Sequence, residues 1–189
     1  ALNEVGNIGM GNAATSLSKL VDKEVKIHIP ILKLSLIEDV PDLVGGADSV
    51  VSGTFMYVEG DIRGYILILF PKDSAAEICS MLSGSTDLLD EMSVSLMQEV
   101  GHILAGTYVT ALSNFFNISI SISTPCGAFD MAGAILDHIL IEMSREVEHA
   151  LVFDTEFRIE GNTLNGNFFM LFDPASLELI LEKIDDMVS

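Results

Sequence analysis

The sequence lacks any apolar run long enough to cross a membrane. A transmembrane helix needs about eighteen or more consecutive apolar residues, and no stretch approaches that length, although 49% of the 189 residues are hydrophobic. The mean hydropathy of +0.47 excludes a disordered chain, because disordered chains contain too little apolar surface to fold. The length suits one full-sized domain or two small halves that share a core.

Basic residues are also scarce. Nine Lys and Arg residues stand against 28 Asp and Glu residues, which gives a formal net charge of −19. A field of that sign repels the phosphate backbone of nucleic acids and anionic lipid surfaces. We therefore expect neither nucleic acid nor a membrane as a partner.

Cysteine and the common catalytic signatures are nearly or wholly missing. Cys79 and Cys126 are the only cysteines, and neither has His or Cys neighbours at ligand spacing, so a zinc site or a disulfide framework is not indicated. There is no phosphate-binding GxxxxGK[ST] loop, no HExxH helix and no serine elbow. The residues that follow Ala1 show no signal-peptide pattern, and with the scarcity of cysteine we expect a cytoplasmic location.

What the sequence does contain is an internal repeat. Leu2–Pro30 aligned without gaps on Met97–Pro125 gives ten identities in 29 positions, where ordinary composition gives about two. Residues 58–71 likewise resemble residues 159–174. We predict one domain over residues 1–189, built from repeat one (about 1–84) and repeat two (about 95–189).

The hydrophobic periodicity predicts the same order of elements in both halves. Each half begins with a helical pattern, continues with a β-branched run that ends at the shared Pro30 or Pro125, and closes with a hairpin around a Glu-Gly turn and a second helix. The predicted hairpins pair 50–58 with 62–70 and 151–159 with 164–172, and the closing helices span 73–82 and 174–187. An extra helix is predicted only in repeat two, over 131–146.

These elements predict the fold class α+β with approximate two-fold internal symmetry. Two tandem repeats, each a helix, a strand, a β-hairpin and a helix, share one core in which paired long helices pack against a β-sheet. Neither half is large enough to fold alone.

A polar stripe runs along both long helices, opposite their apolar side. Its spacing of 3, 4, 4 and 3 residues places the members on one helical face. In repeat one they are Glu4, Asn7, Gly11, Thr15 and Ser18, and in repeat two Glu99, His102, Gly106, Thr110 and Ser113, with Ser95 one turn earlier. A merely solvated face gives no physical reason for the same residues at the same offsets in two otherwise different halves, so the stripe is the candidate functional surface.

Glycine recurs within these helices, at positions 6, 9 and 11 and again at 101 and 106. Each helical glycine costs about 1 kcal/mol relative to alanine, so some other interaction must offset that cost. Two explanations stay open: close packing of the paired helices, or a bare backbone that lets a partner protein approach the polar stripe.

The stripe belongs to a longer motif. The motif begins with an acidic residue or serine. Three residues of any type separate this position from a Glu, two separate the Glu from an Asn, and twenty-two separate the Asn from a Pro. It occurs here as Glu4, Asn7 and Pro30, with the leading position before Ala1, and again as Ser95, Glu99, His102 and Pro125. This motif, with the segments 4–20, 45–48, 103–113 and 130–137, resembles the CheC phosphatases of chemotaxis, relatives of CheX and of the flagellar switch protein FliY. The resemblance spans essentially the whole chain.

The resemblance implies hydrolysis of the aspartyl phosphate on a CheY-like response regulator. Asn7 would orient the attacking water, and Glu4 would dock the regulator through its active-site lysine. The regulator itself would carry Mg²⁺, so no nucleophile, metal or cofactor of this chain's own is implied. The receptor deamidase CheD is a further partner that the resemblance implies.

Repeat two departs from the motif because His102 stands where Asn is expected. An imidazole differs from a carboxamide in shape and has a single donor when neutral, which predicts a weak or silent second pair, Glu99 and His102. Two alternatives to the phosphatase stay open: a non-catalytic adaptor that binds CheD or a regulator, and a component of the flagellar switch.

Overall fold

The computed structural model describes residues 2–143 and 147–188, without the side chains of residues 2–9, 21, 29–32, 154 and 187–188. Within these residues the helices are α1 Leu2–Val21, α2 Val40–Leu43, α3 Lys72–Ser83, α4 Glu91–Phe116, α5 Ala132–Glu142 and α6 Pro174–Val188. The strands are β1 Val25–Leu36, β2 Val50–Gly60, β3 Gly64–Pro71, β4 Ile120–Ile122, β5 Cys126–Met131, β6 His149–Ile159 and β7 Asn162–Phe172. The predicted α+β class with two related repeats is confirmed.

The strands form one antiparallel sheet in the order β1-β6-β7-β3-β2-β4, and β5 pairs with β2 beside β4. Each repeat's first strand therefore pairs with the hairpin of the other repeat. Strand β1 lies against β6 of repeat two, while β4 and β5 lie against β2 of repeat one. The two hairpins meet at the centre, where β3 pairs with β7.

Both predicted hairpins are confirmed. Strands β2 and β3 pair antiparallel, as do β6 and β7. The second hairpin turns over two residues, Glu160 and Gly161, whose φ angles are +50° and +88°. Positive φ at both central residues is the geometry that matches the right-handed twist of the flanking strands.

The predicted ends of the first strands are wrong. Strand β1 does not stop at Pro30 but continues to Leu36, with a shift of register between His28 and Ile31. In repeat two β4 ends at Ile122, before Pro125, and the chain then re-enters the sheet as β5. A proline removes one ladder hydrogen bond, and at a sheet edge a bulge or a short break accommodates that loss without ending the pairing.

The sheet carries a hydrophobic cluster on each face. Along β3, Ile66, Ile68 and Phe70 belong to the cluster that also contains buried residues of α1, α3, α4 and α6. The alternate residues Leu67 and Leu69 belong to a second cluster, with α2 and α5. No helix in the described part of the chain has the length and apolarity to cross a bilayer.

Candidate functional site between the two long helices

The two long helices end in the same way. Asp22 after α1 and Asn117 after α4 adopt φ angles of +51° and +52°, the left-handed conformation that commonly terminates a helix. At its start α4 is capped by Asp90, whose carboxylate accepts a hydrogen bond from the Ser93 N–H at 2.7 Å. Hydrogen bonds, first of all from the Ser85 hydroxyl, lower the pKa of Asp90. These caps fix the ends of the helices that carry the polar stripe.

One repeated pair of the stripe, Ser18 and Ser113, has a structural role. The hydroxyl of Ser18 accepts a hydrogen bond from the Val25 N–H at 2.9 Å, and the hydroxyl of Ser113 donates to the Ile118 carbonyl. Both serines thus join the end of a long helix to the chain that follows it. Their repetition reflects this connection, so Ser18 and Ser113 leave the set of functional candidates.

The threonines of the stripe also bond to their own helices. Thr15 donates to the Gly11 carbonyl at 3.1 Å, and Thr110 donates to the Gly106 carbonyl at 2.7 Å. A hydroxyl engaged in this way has its only donor occupied. The threonines therefore present methyl groups and lone pairs to solvent.

A groove of about 450 Å³ lies between α1 and α4 and contains the second motif pair. Glu99 and His102 line it and are both exposed. The other lining residues are Asn12 and Ser16 from α1 and Ile103, Gly106, Thr107 and Thr110 from α4. The groove therefore combines polar groups from both repeats.

Four polar side chains in this groove are free to bind a ligand. Among the described residues, those of Asn12, Ser16, Glu99 and His102 have no hydrogen-bond or ion-pair partner. The Thr107 hydroxyl, in contrast, donates to the Ile103 carbonyl at 2.8 Å. The free groups offer an amide, a hydroxyl, a carboxylate and an imidazole, a set that can both donate to and accept from a bound phosphoryl group and water.

Of the helical glycines, Gly101 is explained by close packing, whereas Gly11 and Gly106 leave the backbone open to a partner. A Cβ on Gly101 would lie 2.7 Å from the Thr54 methyl group, so close packing requires that glycine. A Cβ on Gly11 would meet nothing within 4 Å, and one on Gly106 would only touch Ile122 at 3.9 Å. Neither Gly11 nor Gly106 has a positive φ angle. The space above these two glycines is thus available to a partner.

The other candidates are placed as follows. Glu4 and Asn7 lie within α1, but their side chains fall outside the described part of the structure, as does that of Pro30 in β1. Ser95 is exposed on α4, one turn before Glu99. Pro125 is half-buried in the break between β4 and β5.

Two residues of the groove, Asn12 and Ser16, were not predicted from the sequence, because neither belongs to an identical pair of the repeat.

The described residues include no cluster of three or more His, Cys, Asp or Glu side chains that could hold a metal ion. The absence of a cofactor of the chain's own stays a prediction.

The comparisons with known proteins agree with this architecture. A model of the CheC-like family matches residues 1–34, and a model of the chemotaxis phosphatase CheX matches residues 52–147. The CheY-P phosphatase CheC of Bacillus subtilis is 35% identical over 185 residues, which cover 94% of this chain and 88% of that protein. This chain belongs to the CheC family.

Two further similarities are to FliY proteins. The flagellar motor switch phosphatase FliY of Bacillus subtilis is 29% identical over 130 residues, which cover 66% of this chain and 34% of FliY. The crystal structure of Thermotoga maritima FliY superposes with a TM-score of 0.72 at 20% identity, covering 98% of this chain and 94% of that one. The last match extends the shared fold over nearly the whole chain.

Proposed function

We propose that this CheC-family chain hydrolyses the aspartyl phosphate of a CheY-like response regulator. The observation that carries the proposal is the 35% identity, over 94% of the chain, to a protein named CheY-P phosphatase CheC. The exposed Glu99 and His102 in a groove between the long helices support it, because a surface that acts on another protein must be accessible.

Asn7 is proposed to orient the attacking water. A carboxamide oxygen accepts a hydrogen bond from water while its NH₂ group donates to a phosphoryl oxygen, and neither role requires a proton to leave the side chain. An acyl phosphate is already activated, so alignment of the water and stabilisation of the developing charge suffice. The Mg²⁺ would be held by the regulator.

Glu4, one helical turn from Asn7, is proposed to pair with a lysine in the regulator's active site. A charged pair across an interface sets register and accelerates association more than it adds affinity. Glu99 has the same place in repeat two. Its exposure, without an ion-pair partner among the described residues, leaves it available for this contact.

The direct test is phosphate release from a phosphorylated regulator with and without this protein. We expect Asn7→Ala to lower the accelerated rate about a hundredfold, the lower end of the cost of losing one hydrogen-bonding group that stabilises a reacting centre. Asn114→Ala is the matched control, because Asn114 is exposed on α4 outside the groove. Equal rates for the wild type and Asn7→Ala would show that the assignment of Asn7 is wrong.

A second candidate is an adaptor that binds CheD or a regulator without turnover. It is favoured by His102, which stands where the motif has Asn. If the protein is an adaptor, it should bind purified cognate CheD or regulator, while the regulator loses its phosphate at the unassisted rate.

A third candidate is a component of the flagellar switch, which the similarity to FliY supports. The corresponding test is binding to purified switch proteins.

A further inference from the structure

The groove between α1 and α4 contains a carboxamide in addition to the motif position that lacks one. Asn12 comes from α1, in repeat one, and lines the same groove as Glu99 and His102 of repeat two. It lies five residues after Asn7, about 140° further around the helix at 100° per residue, and so outside the polar stripe of its own repeat.

Asn12 makes no polar side-chain contact within the described part of the chain. Its side chain is exposed and makes no hydrogen bond to any described residue. Asparagine in a helix interior is less favourable than alanine by roughly half a kcal/mol. In contrast, Thr107 at the equivalent position of α4 bonds to its own helix, so only Asn12 keeps a free polar group there.

We propose that Asn12 supplies the carboxamide of the second site, opposite Glu99 and in place of the amide that His102 cannot provide. This inference rests on the proposed phosphatase function, which it extends. The second site is then composite: its docking carboxylate belongs to repeat two and its water-orienting amide to repeat one.

Hydrolysis at this site needs no side chain of this protein to remove a proton from the water. The Asn12 oxygen accepts one water hydrogen, and its NH₂ group donates to a phosphoryl oxygen. The water oxygen forms a bond to phosphorus as the bond from phosphorus to the aspartyl oxygen breaks. The regulator leaves as a free carboxylate, and both water protons end on the released dihydrogen phosphate.

The test uses the Asn7→Ala protein, in which the first site is silenced. We expect its phosphate release to stay above the regulator's own rate, because the composite site still turns over. Adding Asn12→Ala should lower the remaining acceleration about a hundredfold, while adding the control Asn114→Ala should leave it unchanged. Adding the near-isosteric Asn12→Asp should also lower it, since a carboxylate cannot donate to the phosphoryl group.

A rescue variant separates chemistry from structure. Adding His102→Asn to the Asn7→Ala, Asn12→Ala protein restores the motif amide in repeat two, and we expect it to recover the lost turnover. A merely structural role of Asn12 would not be rescued in this way. Circular dichroism and thermal melting of each variant report whether the fold is kept.

Three results would overturn the inference. The first is an Asn7→Ala protein with which the regulator releases phosphate no faster than it does alone. The second is an Asn12→Ala change that does not alter phosphate release in the Asn7→Ala protein, and the third is a failure of His102→Asn to restore the lost phosphate release. The first result is still compatible with phosphate hydrolysis at Asn7. A wild type that never accelerates the regulator would instead refute the proposed function itself.

Discussion

Helices α1 and α4 share several residues at equivalent positions but differ in one buried side chain and in their exposed polar side chains. Both carry the glycine-threonine pair, the serine that joins the helix to the following chain, and the left-handed residue that ends it. At one equivalent buried position, however, α1 has Ala13 and α4 has Tyr108. The shared residues maintain helix ends and backbone access, whereas the chemistry can differ from one repeat to the other.

The difference at the amide position gives the largest expected effect. In the wild type we expect Glu4→Ala to lower phosphate release about tenfold and Glu99→Ala to lower it less than twofold, since the amide at Asn7 does most of the work. In a protein that carries both Asn7→His and His102→Asn, we expect Glu99→Ala to have the larger effect. Phosphate release is measured for Glu4→Ala and Glu99→Ala in the wild type and in this exchanged protein. If Glu4→Ala has the larger effect in both, the amide does not decide which site is dominant.

Gly101→Ala tests the packed side of α4. The added Cβ would lie 2.7 Å from the methyl group of Thr54, a buried residue whose hydroxyl donates to the Met97 carbonyl at 3.2 Å. Overpacking of this kind lowers the free energy of unfolding by about 1 to 3 kcal/mol. Urea denaturation measures the change, with Gly106→Ala as the matched control. Equal stability of the two variants would contradict the packing requirement.

Tyr108→Phe tests the residue that α4 has in place of Ala13. The Tyr108 ring packs edge-on against Phe153 with centroids 4.7 Å apart, but its buried hydroxyl has no hydrogen-bond partner among the described residues. Burial also raises the pKa of Tyr108, so the hydroxyl stays neutral. Removing an unsatisfied buried group should stabilise the protein by about 1 kcal/mol. A lower melting temperature would indicate that the hydroxyl is hydrogen-bonded in solution.

Gly11→Ala and Gly106→Ala test the shared feature and have the smallest expected effect. With open space above both positions, each change should raise the free energy of unfolding by about 0.5 to 1 kcal/mol through helix propensity. Each should also weaken binding of the regulator, measured by titration calorimetry. A gain in stability with unchanged binding would show that no partner approaches these glycines.

Much of the fold could be predicted because its signals are local. Hydrophobic periodicity and turn residues are set within ten or fifteen residues, and they located the hairpins and the closing helices. Strand β5 was missed because its sequence has no β-branched residue, and such residues are enriched in strands. The repeat contains a signal for it, since residues 25–36 of β1 shifted by 95 positions correspond to 120–131, the full extent of β4 and β5.

The candidate site was predicted only in part. Repetition singled out Glu99 and Gly106, and both line the groove. The same repetition singled out Ser113, whose role is to join α4 to the following chain. Identity between repeats cannot distinguish a binding group from a structural one, because both recur for physical reasons.

The sequence by itself determined the two related halves, the long helix, hairpin and closing helix in each half, and the family to which the chain belongs, because these follow from patterns along the chain. Only the tertiary structure decided that each repeat pairs its first strand with the other repeat's hairpin, and that Asn12 shares a groove with Glu99. Backbone hydrogen-bonding groups are alike in every strand, so pairing partners are chosen by the burial of whole faces. A composite site exists only once that choice has been made.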